Sequence, residues 1–279
     1  MTDYQSKLLP YAYNILGSVD DALDVIQDVM MKRLTGVGTA MENERAYLIK
    51  SVINRAINLK NRNKRIRGEG MWLPEPVATE SADAGIKKKE IISYSMLVLL
   101  EHLNAKERAV FILKEAFDYA HEEIAETLSI TVENSRQLLS RAKRSLRSND
   151  AEFRPATAAP DFLQTYIQHI ENGDIKSLAQ LLSEEIVVKA DGGKKMTVVS
   201  ELTQGIRPVI DLMLYLHDRY QHRYEITVYT VNHQPALLFY DDGRLVNCQV
   251  FEWDNQQSKI RSIFSIVDPD KLGRIPVGK

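Results

Sequence analysis

Apolar positions recur at helical spacing through roughly the first half of the chain, then give way to β-branched and aromatic runs. "YQSKLLPYAYNILG" reads as a helix closed by Gly17, a residue suited to a helix C-terminus. Ser18 then caps "VDDALDVIQDVMMKRL", where Ala22, Val25, Ile26, Val29, Met30 and Leu34 repeat every three or four residues. Residues 35–43, "TGVGTAMEN", have two glycines and no period, so they read as a loop. A long helix follows over 44–67 and turns strongly basic toward its end. Residues 68–88 hold glycine, proline and small polar residues and predict a linker. Helical spacing resumes over 89–148, with Asn104 and Glu107 placed as a capping box. A second, Ala- and Pro-containing linker covers 149–160.

Beyond 160 the texture changes. Two helices lead into "EEIVVKADGGKKMTVVS", read as strand, tight turn and strand, and "GIRPVIDLMLYLHDRY" reads as a helix. "RYEITVYTVN", "PALLFY", "RLVNCQVFEW" and "KIRSIFSIV" are strands, with hairpin connections at 241–243 and 254–258. The expected fold class is multidomain: two all-α domains, 1–67 and 89–148, then an α+β domain over 161–279.

Composition narrows the function classes. The 279 residues are 44% hydrophobic and 27% charged, enough to build real cores. One cysteine rules out an internal disulfide framework and a multi-cysteine metal site. No stretch approaches the apolar length of a membrane span, and the start carries no secretory pattern. A cytoplasmic protein without metal or cofactor is therefore expected.

The net charge of −2 conceals segregation. Lys60, Arg62, Lys64, Arg65 and Arg67 fall within eight residues, and Arg136, Arg141, Lys143, Arg144 and Arg147 form a second basic cluster. Asp20, Asp21, Asp24 and Asp28 gather on the helix before the first cluster.

The second cluster lies in "HEEIAETLSITVENSRQLLSRAKRSLRSN", two short helices around a corner at Ser129. Ile124, Leu128 and Ile130 are spaced to join them, Ala125 is small where they cross, and Thr131 can cap the second helix. Ser135, Leu138, Leu139, Ala142 and Leu146 then face inward. Glu133, Asn134, Arg136 and Gln137 face outward at the start of the second helix, where a helix-turn-helix reads base edges. Arg141, Lys143, Arg144 and Arg147 are placed for phosphates. A merely solvated basic helix satisfies the charge pattern alone; the apolar spacing across both helices favours DNA.

In its order of parts the chain resembles the extracytoplasmic-function sigma factors of bacteria. The resemblance rests on "YAYNILGSVDDALDVIQDVMMKRL", on "AYLIKSVINRAINLKNRNKR" and on "LNAKERAVFILKEAFDYAHEEIAETLSITVENSRQLLSRAKRSLR". With "WLPEP", "DGGKK" and "DPDK" added, it is similar to the sigma-J-like subgroup, which carries a C-terminal SnoaL-like (NTF2-like) cone domain. The subgroup's DGGGK and NPDK patterns have Lys194 and Asp268 here where glycine and asparagine are common.

The resemblance implies region 2 at 1–67, region 4 at 89–148 and a regulatory SnoaL-like domain at 161–279. It implies a sigma factor that directs core RNA polymerase to promoters, is not itself an enzyme, and is tuned in cis by its last domain, with room there for a small-molecule ligand. Asp21, Asp24, Gln27 and Asp28 would dock on core polymerase. The 35–43 loop and Asn54 would hold the opened minus-10 strand, with Lys60, Arg62, Lys64, Arg65 and Arg67 on its phosphates. The helix-turn-helix would meet the minus-35 element. Trp72, Leu73, Pro74, Glu75 and Pro76 are expected to dock on the C-terminal domain and to help set the relative position of regions 2 and 4. Asp191, Gly192, Gly193, Lys194 and Lys195 are expected to contact the sigma core, and Asp268, Pro269, Asp270 and Lys271 to share in this interdomain regulation.

A SnoaL-type enzyme would need a buried Asp or His base, for which His169, His217, Asp191 and Asp211 are the candidates. Such an enzyme with an added DNA-binding segment, or a ligand-sensing repressor, is the competing reading. The acidic-then-basic helix pair at 18–67 speaks against both.

Overall fold

The computed structural model describes residues 3–35, 43–67, 71–79, 90–147, 161–196, 198, 202–254 and 258–275. The chain divides into two units. The first comprises residues 1–69 and 81–153, the second 70–80 and 154–279.

In the first unit, helix α1 (Asp3–Leu16) packs against α2 (Val19–Thr35) and α3 (Glu44–Arg67). Leu8, Leu9, Ala12 and Leu16 of α1 are buried with Val25 and Ile26 of α2 and Val52, Ile53 and Ala56 of α3. Leu34, expected on the apolar stripe of α2, is instead 78% exposed. It sits in the last turn, next to the 36–42 segment outside the described residues.

The second helical segment comprises α4 (Tyr94–Leu99), α5 (Ala105–Glu115), α6 (His121–Leu128) and α7 (Val132–Arg147). The capping box forms: Asn104 accepts from the N–H groups of Lys106 and Glu107, and Glu107 returns to the Asn104 N–H. Ser129 takes the corner between α6 and α7 in the left-handed region at φ 52°. That costs a side-chain-bearing residue strain that glycine would avoid. Two helix-end hydrogen bonds hold it, from Ser129 N to Glu126 O and from Ile130 N to Ala125 O.

The second unit is α+β. Helices α8 (Asp161–Glu171), α9 (Ile175–Leu181) and α10 (Ile206–Arg219) cover one face of a six-stranded sheet of order β2-β1-β6-β5-β4-β3. Its strands are β1 (Leu182–Asp191), β2 (Thr203–Gln204), β3 (Glu225–Val231), β4 (Gln234–Asp241), β5 (Arg244–Asp254) and β6 (Lys259–Ile266). β1 and β6 run parallel, so the sheet is mixed rather than wholly antiparallel. The strand expected over 196–200 falls largely outside the described residues.

The core joins Tyr166 and Ile170 of α8, Ile210 and Met213 of α10, and Ile186, Val188, Phe239, Phe251 and Ile263 of the sheet. Burial pushes the Tyr166 phenol above its ordinary range. Strand alternation sends Leu238, Cys248, Val250, Phe264 and Ile266 to the opposite face, where they too are buried. The 241–243 hairpin turns through Asp242 and Gly243, both at positive φ as a tight two-residue turn requires. A final short helix, α11 (Pro269–Leu272), is capped by Asp268.

Candidate nucleic-acid interface and its linker clasp

Helix α7 has the two faces its sequence implies. Ser135, Leu138, Leu139, Ala142 and Leu146 are buried, while Glu133, Asn134, Arg136, Gln137, Arg141, Lys143 and Arg144 are exposed. Thr131 Oγ1 accepts from the Asn134 N–H at 3.1 Å, and His121 Nδ1 meets Ser135 Oγ at 2.9 Å, tying α6 to α7. Lys143 pairs with Glu115 at 2.7 Å. Arg136 lies 3.9 Å from Glu122, both exposed, so that pair is weak and exchangeable. Arg147 ends α7. The start of α7 thus offers a carboxylate, two amides and a guanidinium to a partner.

On α3, Arg62, Lys64 and Arg65 are exposed and Arg67 ends the helix. Lys60 departs from its expected phosphate-binding place. It is buried, and its ammonium donates to Leu16 O at 3.1 Å and to Glu101 at 2.7 Å. With its ammonium turned inward to these partners, Lys60 is not presented to a phosphate. Asn54 is also engaged, donating to Lys50 O at 2.8 Å and to Thr127 O, at the end of α6, at 2.9 Å.

These contacts belong to a joint between the two helical segments. Arg108 is fully buried; its Nε donates to Asn14 O and its Nη1 to Glu101. Nη2 of Arg108 meets no acceptor among the described residues. Asn14 donates to Glu90 O and accepts from the Ile92 N–H. Burial alone would raise the Glu101 carboxyl, but Arg108 and Lys60 together outweigh it and hold it below the ordinary carboxylate range. Tyr11 stacks on Phe117 with ring centroids 4.0 Å apart and meets the Tyr119 hydroxyl at 3.2 Å. Burial and Tyr119 push the Tyr11 phenol upward.

Of the acidic face of α2, Asp24 and Gln27 are exposed, while Asp21 accepts from Asn63 and Asp28 pairs with Arg55. Beside that pair lies a cleft of about 320 Å³ lined by Val29, Lys32, Tyr47, Ser51, Arg55 and Asn58. An aromatic ring, two cations and two neutral polar groups suit a base with its phosphate. The 35–43 loop expected to form such a pocket lies mostly outside the described residues.

In the second unit, residues 71–79 form an extended strap. Asp191, at the end of β1, is buried; its Oδ2 accepts from the Leu73 N–H at 2.7 Å and pairs with the Lys271 ammonium. Lys271 also donates to Leu73 O at 2.6 Å and lies 4.6 Å from the centre of the Trp72 ring, a cation–π contact. Asp191 Oδ1 accepts from the Gly193 N–H. Gly193 has φ +60°, and a side-chain carbon there would meet the Asp268 carboxylate at 2.3 Å, so glycine is required. Asp268 accepts from the Asp270 N–H, which an asparagine oxygen would do equally well. Lys194 is exposed, and Lys195 pairs with Asp270 at the surface.

The strap's other end pairs with β3. Asn232 N donates to Val77 O, Thr79 N donates to Thr230 O, and Asn232 Oδ1 accepts from the Val77 N–H. Ala78 forms an antiparallel bridge with Val231. Glu75 is buried, with Arg274 3.7 Å away. The "WLPEP", "DGG" and "DPDK" stretches therefore converge within one unit. Asp191, expected to reach the sigma core, instead holds the linker strap together with Lys271.

The catalytic candidates do not converge. His169 lies 3.6 Å from Asp174 on one side of the domain's helices, Asp211 pairs with Arg207 in solvent, and Asp191 is occupied by the strap. His217 meets only its neighbour His222 among the described contacts, through its backbone carbonyl and an edge-on ring contact. Sequence reasoning missed Asn14, Glu101, Arg108 and Asn232. Their signal was a polar residue inside an apolar run, as in "YAYNILG" and "ERAVFILKEAF".

No described helix is long and apolar enough to cross a membrane, and the described residues hold no cluster of metal ligands. The model of sigma-70 region 2 matches residues 1–66 and that of sigma-70 region 4 matches residues 94–146. The ECF RNA polymerase sigma factor SigJ of Mycobacterium tuberculosis is 26% identical, over 97% of this chain and 91% of its own. The probable ECF sigma factor SigI of the same organism is 24% identical, over 96% and 92%. The crystal structure of M. tuberculosis SigJ superposes with a TM-score of 0.78 at 23% identity, covering 99% of this chain and 98% of that one, which shows a shared fold. With regions 2 and 4 matched in order and a near full-length relative alongside, the chain belongs to the sigma-70 family and is similar over its whole length to extracytoplasmic-function sigma factors.

Proposed function

We propose that this sigma factor brings RNA polymerase to promoters whose upstream element is read by the start of α7 and whose downstream element is opened against α3, and that its C-terminal domain tunes this activity in cis. Transcription of this kind takes place in the cytoplasm. The observation that carries the reading is the capped helix-turn-helix. Glu133, Asn134, Arg136 and Gln137 stand exposed at the N-terminal end of its second helix, with Arg141, Lys143 and Arg144 behind them. Asp24 and Gln27 remain on the exposed face of α2 for the polymerase.

The joint adds a reason for the polymerase to be needed. Asn54 and Lys60 are spent on holding the two helical segments together, so α3 offers the promoter a reduced surface until that joint opens. Weak duplex binding by the chain alone is the expected consequence, and it sets a sigma factor apart from a repressor.

Promoter-directed transcription with core polymerase tests the reading. Arg136→Ala should lower output about tenfold at promoters carrying the cognate upstream element and relax discrimination at a single position there. High-affinity, polymerase-independent binding to a duplex operator would replace the sigma-factor reading with a repressor.

A further inference from the structure

Helix α3 turns one charged residue toward α2 that the expected DNA-binding set leaves out. Tyr47, Ser51, Arg55 and Asn58 recur every three or four residues, so they share one stripe of α3, and all four line the cleft of about 320 Å³ with Val29 and Lys32 of α2. Lys32 is exposed. Arg55 is already engaged: its Nε donates to Asp28 Oδ2 at 3.0 Å, and its Nη2 meets the same oxygen.

The Arg55 and Asp28 side chains are 44% and 52% exposed, so water reaches both and the pair is readily exchanged. Asp28 follows Gln27 on the α2 face expected to meet polymerase, four residues after Asp24, and both of those side chains are exposed. A single ion pair therefore ties the polymerase face to the base-sized cleft. While Asp28 holds Arg55, its carboxylate cancels one of the cleft's two cations. A cation from outside that claims Asp28 returns that charge to the cleft. An opened strand brings a phosphate with every nucleotide, and a guanidinium is suited to grip one at two points.

We propose that Arg55 is a DNA-contacting residue held in reserve by Asp28: a cation of core polymerase takes Asp28, and Arg55 passes to a phosphate of the opened strand at the cleft. Asp28 is then a positioning residue for promoter opening as well as a docking residue. The inference rests on the reading of α2 as the polymerase face and α3 as the strand-contacting helix. Linkage makes the exchange reciprocal, so whatever frees Arg55 for DNA also frees Asp28 for polymerase.

Reciprocity predicts gains on both sides, which a bridge that merely braces α2 against α3 cannot produce. Without DNA, full-length Arg55→Ala should bind core polymerase about two- to fivefold more tightly than wild type, because Asp28 no longer has a partner to leave. The free chain is also titrated with a fluorescein-labelled single-stranded DNA of random sequence over a range of salt. Asp28→Ala should tighten that binding about two- to fivefold and steepen its logarithmic salt dependence by about 0.7, the mark of one added phosphate contact. The double variant Arg55→Ala/Asp28→Ala should lose both gains. Asp20→Ala removes an equal charge from an exposed position of the same helix and should leave the slope as in wild type. Arg55→Gln is measured beside Arg55→Ala, so that a loss of helicity in one leaves the other to decide. Core affinity no better than wild type in the folded Arg55 variants overturns the proposal, as does an Asp28→Ala slope equal to that of Asp20→Ala. A wild-type chain that does not bind core polymerase at all would instead sink the sigma-factor reading beneath it.

Discussion

Two carboxylates, the half-buried Glu101 and the buried Asp191, hold this molecule's segments together, and they do so differently. Glu101 joins the helical segments by drawing on two cationic side chains, Lys60 and Arg108, and leaves one guanidinium nitrogen without an acceptor among the described residues. Asp191 holds the strap by accepting the Leu73 N–H and pairing with the Lys271 ammonium, and also accepts the Gly193 N–H of its own turn. The first site buries an excess positive charge in a contact between side chains. The second is balanced in charge and written largely in backbone hydrogen bonds. Buried ion clusters add less net stability than apolar packing, but removing one member is costly. The joint is therefore suited to opening as a whole, and the clasp to staying shut.

The two tryptophans, Trp72 and Trp253, both belong to the second unit, so their fluorescence reports that unit while far-ultraviolet helicity reports mainly the first. This separates the two sites in one denaturation experiment. The largest effect is expected from Glu101→Leu, which leaves Lys60 and Arg108 buried without their counter-charge. It should cost about 3–5 kcal/mol in the helicity transition, with the fluorescence transition in place. Replacing all three charges together by apolar residues of similar size should recover most of that loss. If Glu101→Leu moved both transitions equally, the sites would not be independent. Acid sharpens the same contrast. The folded Glu101 carboxyl titrates below its unfolded value of about 4.3. Its contribution is thus complete above that pH and is lost as pH falls through the depressed folded value, so the helicity midpoint should fall in that window.

Asp191→Asn keeps an acceptor for Leu73 but loses the charge opposite Lys271, and should cost about 2 kcal/mol in the fluorescence transition alone. Gly193→Ala places a side chain at φ +60° against Asp268 and should cost about 1–2 kcal/mol in the same transition. Asn104→Ala removes the α5 cap and should cost about 1 kcal/mol, read only in helicity.

Legibility from sequence followed locality. The α5 capping box, the faces of α7 and the Asp242–Gly243 hairpin depend on neighbours a few residues apart, and each is present as the spacing implies. Lys60 was misread because charge alone places a lysine in solvent, whereas Glu101, 41 residues away, draws it inside. The strap's docking on the C-terminal domain was expected from an otherwise exposed tryptophan, but Asp191 and Lys271 as the residues that hold it were not. Asp191, Gly193 and Lys271 read as a surface patch until the register of β1 with β6 set them side by side. Arg108 and Asn14 carried only the faint signal of a polar residue in an apolar run.

Footprinting of core polymerase with the full-length chain on a cognate promoter tests the central claim most directly. Two separated protections are expected. Arg136→Ala should erase only the upstream one, and Arg62→Ala with Lys64→Ala should weaken only the downstream one. A single continuous protection, present without polymerase and lost as a whole in either variant, would contradict the account.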